Sequence, residues 1–343
     1  MHQGFALFCL ITLLTISPAW SQKNSSYLPD TSISTEDDLS FFEASPYRNK
    51  ARIRGLSIGI PTAYGATMSA LSIAWYDQNE RNRFHFFDDA KEWQQVDKLG
   101  HSHTAYFETY WMMQSLRWAG VDKKKSRWIG AALGFTIQSS IEVFDGFSEK
   151  WGASGWDVLA NFAGTGLCLS QDALWGEQRI RSKFSFHEVN HADAMLDQRA
   201  DALYGSFPLE RLLKDYNGIV TWLSINPASF MKDQERQRPL TWLNVAIGYG
   251  ASGMYGGFDN TWTNENGNFI ERQDVERYRR FFISPDIDFE RIPVRKKGWK
   301  TLMGVLNVFK CPAPALEVNT KGEWVFHPMF MLNWDYPIVL NAR

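Results

Sequence analysis

Seven residues of this 343-residue chain have the types and spacing to do chemistry together: Asp97, Lys98, His101, Glu142, Asp145, Asp157 and Asn161. Asp97 and His101 are four positions apart, Asp157 and Asn161 likewise, and Glu142 and Asp145 three apart, so on helices each pair shares one face. Crowded carboxylates raise one another's pKa, and a histidine beside them can exchange protons near neutral pH, as general acid–base chemistry requires. The same imidazole with two or three carboxylates can instead hold a divalent cation. A third use is a hydrogen-bonded bridge between helices in an apolar bundle. On the enzymatic alternative His101 is the acid–base group, and Asp97, Glu142 and Asp157 bind a cation or orient a substrate. Lys98, Asp145 and Asn161 then complete the binding set. A purely structural account also covers them: Asp157 follows the capping residue Ser154, Asp97 pairs with His101, and Lys98 neutralises Glu142.

Three helical segments must position this set. The first is predicted from an Asp88-Asp89 cap to Trp118, stopping at Gly120. The second follows the basic turn at Lys123, Lys124 and Lys125 and runs from Arg127 to about Phe144, with Gly146 as its end and a Gly130-xxx-Gly134 face that invites close packing. The third is announced by Ser154-Gly155-Trp156-Asp157, a capping-box pattern, and runs past Ala160 and Gly164 to about Trp175. Short connections predict antiparallel neighbours, so the first helix start, the second helix end and the third helix start share one pole.

The flanks read differently. Residues 1–21 contain no Asp, Glu, Lys or Arg, carry the apolar run Phe5 to Ile16, and end Ala19-Trp20-Ser21, which predicts a signal peptide cleaved after Ser21. Cys9 lies inside the apolar run, so no lipid anchor is expected. Residues 22–54 form a polar leader. Gly55 to Tyr76 is uncharged and long enough to cross a bilayer if helical, but its Gly, Pro and Ser content suits a buried helix equally well. Beyond Lys183, Phe184 to Ala202 reads as helix and Leu209 to Asp215 as a short helix. Val220 to Ile225, Leu243 to Tyr249 and Phe282 to Phe289 read as strands, and Trp299 to Phe309 as helix. These strands are too few for a membrane barrel, which needs about eight. The expected fold is mainly α: an antiparallel helical bundle over residues 55–182, followed by a mixed α+β region over 183–343.

Composition narrows function. Lys and Arg number 36 against 38 Asp and Glu, a net charge of -2, which gives no field for nucleic acid. No GxSxG, phosphate-gripping glycine loop or dinucleotide fingerprint occurs, so nucleotides are not expected either. The chain carries 15 Trp, a residue favoured at bilayer and protein interfaces. Trp93, Trp151 and Trp156 fall near the polar pole, with Trp118 and Trp128 near the other, the distribution of an interfacial belt. His187-Glu188-x-x-His191 spells HExxH, with Glu210 as the nearest third ligand, but polar Asn190, Asp193 and Gln198 surround it, as on a surface helix. His85 and His327 sit beside aromatics as packing residues. Cys168 and Cys311 have no spacing that demands a disulfide.

Asp97-Lys98-x-x-His101, Glu142-x-x-Asp145-Gly146 and Ser154-x-x-Asp157-x-x-Ala160-Asn161-x-x-Gly164 resemble the YfiM-like family of predicted periplasmic lipoproteins, which has no established activity. A looser similarity is to VanZ-like membrane proteins, linked to glycopeptide resistance, which share the Asp-Lys-x-x-His opening and the Asp-x-x-Ala-Asn-x-x-Gly ending. The resemblance covers about Phe86 to Asp172, and Asp215-Tyr216-Asn217-Gly218 and Trp242 to Met254 resemble segments of larger YfiM-like members. The chain departs from these patterns in lacking a lipobox cysteine, in carrying Asp145 where VanZ-like proteins tend to have Gln, and in the polarity of its helices. The resemblance implies an envelope location. The expectation is an exported, periplasmic or outer-membrane-associated protein, non-catalytic, packed against a membrane surface or envelope protein. Its alternative is a metal-assisted or acid–base hydrolase or transferase acting on a lipid-linked or cell-wall substrate. Any cofactor is unidentified, a divalent metal being the candidate.

Overall fold

A computed structural model describes residues 41–75, 83–149, 151–231, 240–264, 266–332 and 335–341. The expected signal peptide, and the leader up to residue 40, lie outside the described residues. Helix α1 (Lys50–Trp75) covers most of the uncharged stretch and contains Pro61. Among the described residues no helix is long and apolar enough to cross a membrane.

Three helices form the framework of the polar pole. Helix α2 spans Val96–Trp118, α3 spans Lys123–Asp145 and α4 spans Gly155–Leu174. The Asp122 side chain caps α3 by accepting from the Lys124 and Lys125 amides, and Ser154 caps α4 by accepting from the Asp157 amide. Glycines set how closely the axes approach. A Cβ on Gly134 would fall 2.5 Å from the Thr109 nitrogen, and one on Gly164 would fall 1.9 Å from the Ser102 carbonyl oxygen. Such contacts run α3 antiparallel and α4 parallel to α2, so the predicted up-down-up arrangement is present. The start of α2 lies later than predicted. Asp88 and Asp89 do not cap it; the chain first makes a tight turn in which Trp93, Gln94 and Gln95 adopt positive φ of 49°, 52° and 63°.

The mainly α expectation is wrong. The chain is α+β, with an antiparallel seven-stranded sheet in the order β1-β2-β3-β6-β7-β8-β9. Its strands are β1 (Ile180–Phe186), β2 (Ile219–Ile225), β3 (Leu243–Ser252), β6 (Tyr278–Ile287), β7 (Ala313–Asn319), β8 (Trp324–Phe330) and β9 (Ile338–Val339). Strands β4 (Thr261–Thr263) and β5 (Phe269–Glu271) form a separate hairpin. Two features hid the extra strands. Pro314 lies in β7 and Pro328 in β8, where proline disfavours a strand, and β1 carries Arg181 and Lys183 in a segment partly read as helix. In fact Phe184 to Ala202 is strand to Phe186, then extended chain, then helix α5 (Ala194–Tyr204), capped by Asp193. Helices α6 (Pro208–Lys214) and α7 (Lys297–Leu306) match prediction closely. The division expected between residues 182 and 183 runs through β1. The two layers are joined there: His103 Nδ1 on α2 lies 2.9 Å from the Ser182 hydroxyl, and the Phe184 amide donates to the Val308 carbonyl at 3.0 Å.

Candidate functional site

The fold brings all seven sequence-derived residues to one end of α2, α3 and α4, and all but Lys98, which stays slightly accessible, are buried. Lys98 Nζ lies 2.9 Å from Asp97 Oδ2, 2.8 Å from Asp157 Oδ1, and hydrogen-bonds Asp89 Oδ2. The opposite oxygens turn toward the imidazole: His101 Nε2 is 4.0 Å from Asp97 Oδ1 and 3.9 Å from Asp157 Oδ2. On the other ring edge, Nδ1 is 3.2 Å from Asn161 Oδ1 and 3.7 Å from Glu142 Oε1. The Ser154 amide donates to Glu142 Oε2 at 3.0 Å, which ties the end of α3 to the cap of α4.

Further groups complete the pole that the sequence did not single out for it. The Tyr216 hydroxyl donates to Asp97 Oδ1 at 3.0 Å, and the Ser154 hydroxyl donates to Asp89 Oδ1 at 2.5 Å. Gln138 stands 3.4 Å from His101 Nδ1, on the α3 face below Glu142. Buried Glu92 lies against Gly257, where a Cβ would fall 2.3 Å from Glu92 Oε1. The left-handed turn that places Glu92 is held by the sheet layer, with the Trp93 amide donating to the Gly257 carbonyl at 2.7 Å and the Tyr249 hydroxyl to the Gln94 carbonyl. Asp89 was legible as a polar residue but read as a cap, and the Gln138 spacing to Glu142 was available. Nothing in the local sequence ties Tyr216, from the far side of β1, to this pole.

The electrostatics follow from burying Asp89, Glu92, Asp97, Glu142, Asp145 and Asp157 around a single lysine. Burial pushes Glu142 up to about 9, with Asp145 adding to the effect, and pushes Glu92 up to about 7, with Asp97 adding. Burial, then Asp97 and Glu142, also drive Asp157 upward against the pull of Lys98. Burial works against the Lys98 ammonium, but Asp97 and Asp157 outweigh it and hold the lysine charged. Asp89 is kept low, because Asp157, Lys98 and Ser154 outweigh its burial. Burial lowers His101, so its neutral form is favoured.

Other expectations fare differently. His187 to His191 carry no helix, so the helical metal spacing of HExxH does not form. His187 packs on Phe330 with Nε2 3.2 Å from Arg280, and His191 Nδ1 sits 2.9 Å from the Tyr255 hydroxyl. His327 packs against Phe282 and Phe330 but also pairs with Glu317 at 3.1 Å and Asp335 at 2.7 Å. Trp93 is a core residue rather than part of a belt, while Trp128 and Trp156 are exposed. Cys168 and Cys311 are free thiols.

The sheet carries a second candidate surface. Leu223, Ile247, Ile283, Leu316, Phe326 and Ile338 pair successively across six strands and form one apolar row. Phe281 and Val318 pair in a second row that ends on Trp324, and Val245 and Leu243 extend the surface along β3. Most of these side chains are exposed, Ile247 at 47% and Ile283 at 51%. The opposite, buried face combines an apolar cluster of Val220, Trp222, Ala246, Phe282, Ala315 and Phe330 with paired charges: Lys183 pairs with Asp286 at 2.9 Å, Arg181 with Asp288 at 3.2 Å and Arg280 with Glu317 at 2.7 Å. Water-facing antiparallel sheets show the reverse alternation, apolar inward and polar outward.

The molecule is thus an α+β protein that combines a buried acidic pole with a sheet turned apolar side out. The profile of the family described as predicted periplasmic lipoprotein (DUF2279) matches residues 85–171, the stretch from just before the pole to the end of α4. The match, over about a quarter of the chain, supports an exported location, and the sheet lies almost wholly outside the matched residues. No curated protein and no solved structure matches the chain.

Proposed function

We propose that this exported protein is a non-catalytic envelope component that seats the outer face of its sheet in the hydrocarbon of a membrane. The inverted alternation of the sheet carries the reading. In a bilayer the solvent is apolar, so a sheet in contact with it turns apolar residues outward and keeps paired charges inside. Soluble monomers rarely expose contiguous apolar patches above a few hundred Å², so an apolar row crossing six strands calls for an apolar partner. The exposed apolar positions of β3, Leu243, Val245 and Ile247, span four residue steps, about 13 Å at ~3.3 Å per residue, which fits one leaflet's half of a ~30 Å hydrocarbon core.

Exposed Trp156, Phe162, Phe144 and Phe147 add apolar surface on α3, α4 and the turn between them. The hydrolase alternative is less well supported. A groove of about 520 Å³ next to the pole is lined by Phe86, Phe87, Asp88, Ala153, Gly155, Trp156 and Leu159, and none of the seven pole residues lines it. Carbonate extraction of cell membranes tests the reading: the protein stays in the pellet if it holds, and full release into the supernatant counts against it.

A further inference from the structure

The pole divides its two central carboxylates in a specific way. Lys98 takes Asp97 Oδ2 and Asp157 Oδ1, leaving Asp97 Oδ1 and Asp157 Oδ2 turned to His101 Nε2 at 4.0 and 3.9 Å. Each of the three residues offers one donor atom within 4.8 Å of the other two. Lys98 therefore holds both carboxylates in place from behind without standing between them and the imidazole. Asp157 is fully buried, and its Oδ2, aimed at this centre, makes no hydrogen bond. Around a tetrahedral or octahedral ion with bonds of about 2.1–2.3 Å, neighbouring donors stand roughly 3.0–3.8 Å apart, so a contraction of up to about 1 Å draws the three side chains onto one.

The outer contacts are those a ligating histidine uses. Of the two groups at Nδ1, the acceptor Asn161 Oδ1 at 3.2 Å is nearer than the Gln138 amide nitrogen at 3.4 Å, and a proton on Nδ1 directed at Asn161 leaves the lone pair on Nε2. Tyr216 fixes Asp97 by donating to the same Oδ1.

We propose that Asp97 Oδ1, His101 Nε2 and Asp157 Oδ2 bind one divalent cation of the Zn²⁺ or Mn²⁺ class. One imidazole nitrogen with two carboxylate oxygens is a borderline donor set, which favours these ions over Mg²⁺ and Ca²⁺, whose protein ligands are oxygens. The site stands apart from the membrane-facing sheet and does not depend on it.

The test is calorimetric titration of chelator-stripped, full-length protein with Zn²⁺ and, separately, Mn²⁺, in two buffers of different ionisation enthalpy. Uptake of one equivalent is expected, and the two buffers separate the heat of binding from that of any proton exchange. Asp157→Asn and His101→Gln should each weaken binding by roughly a hundredfold or more. If either variant fails to fold, Mn²⁺ electron paramagnetic resonance on the wild type decides, with nitrogen coupling from one directly bound imidazole expected. Absence of stoichiometric uptake, uptake unchanged in both folded variants, or a spectrum without nitrogen coupling would each overturn the proposal.

Discussion

Asp97 and Asp157, on different helices, grip the same ammonium group: Lys98 lies 2.9 Å from one and 2.8 Å from the other, and the remaining oxygen of each faces His101. This clamp fixes α2 against α4 at the end where Tyr216 joins them from the sheet layer.

Removing the clamp should be costly. Lys98→Met leaves several buried acids without their cation, and breaking a buried ion pair by deleting one partner typically costs about 3–5 kcal/mol. Urea denaturation of the variant should show a loss of that order with far-UV circular dichroism unchanged before the transition. A loss under about 1 kcal/mol would mean that the acids are already neutral without the lysine.

Stability should fall on the alkaline side. Glu92 and Glu142 are raised from 4.5 to about 7 and about 9, so the folded chain holds protons that the unfolded chain releases. Their contribution is complete below pH 4.5 and is lost as pH rises through those two values. His101 acts oppositely: lowered from 6.5, it contributes above that pH and loses its contribution as pH falls. Above 6.5 the histidine no longer contributes, and Lys310, lowered to about 8 by burial, opposes the carboxyl effect only above that value. Denaturation midpoints measured at intervals from pH 6.5 to pH 8 should therefore decline. The slope is at most about 1.4 kcal/mol per pH unit for each group. A flat or rising profile would mean that the acids are not protonated in the folded chain.

Gly164 should tolerate no side chain. Its missing Cβ would stand 1.9 Å from the Ser102 carbonyl oxygen, a backbone atom that can yield only if α4 shifts as a whole. Overpacking typically costs about 1–3 kcal/mol, and Gly164→Ala should reach the upper part of that range in chemical denaturation. Gly166 meets nothing within 4 Å, so Gly166→Ala is the matched control and should be neutral or slightly stabilising.

Ser154→Ala removes two interactions at once, the cap on the Asp157 amide and the hydrogen bond to Asp89. A lost cap costs about 1 kcal/mol. The buried Asp89 carboxylate, losing a donor, should add a comparable amount. Ser154→Thr, which keeps the hydroxyl, should recover most of the loss.

The pole was legible because its logic is local. Capping at Ser154, four-residue spacing in Asp97/His101 and Asp157/Asn161, and short connections together place seven residues at one end. What the sequence hid was long-range or inverted. Tyr216 reaches Asp97 only because β1 and two short helices bring it back beneath α2. The sheet was undercounted because its rule is reversed: Leu223, Ile247 and Ile283 face outward while Lys183, Arg280 and Asp286 face in, and prolines interrupt β7 and β8. A reading that expects charge outside takes β1 for the edge of a helix.

The measurement that bears most directly on the account is flotation of the purified protein with phospholipid vesicles, comparing the wild type with a double variant, Ile247→Asp and Ile283→Asp. Both residues are exposed, so the variant should fold normally. The account predicts that the wild type floats with the vesicles and the variant stays at the bottom of the gradient. A wild type that remains soluble and monodisperse without lipid, or a folded variant that floats as well as the wild type, would contradict it.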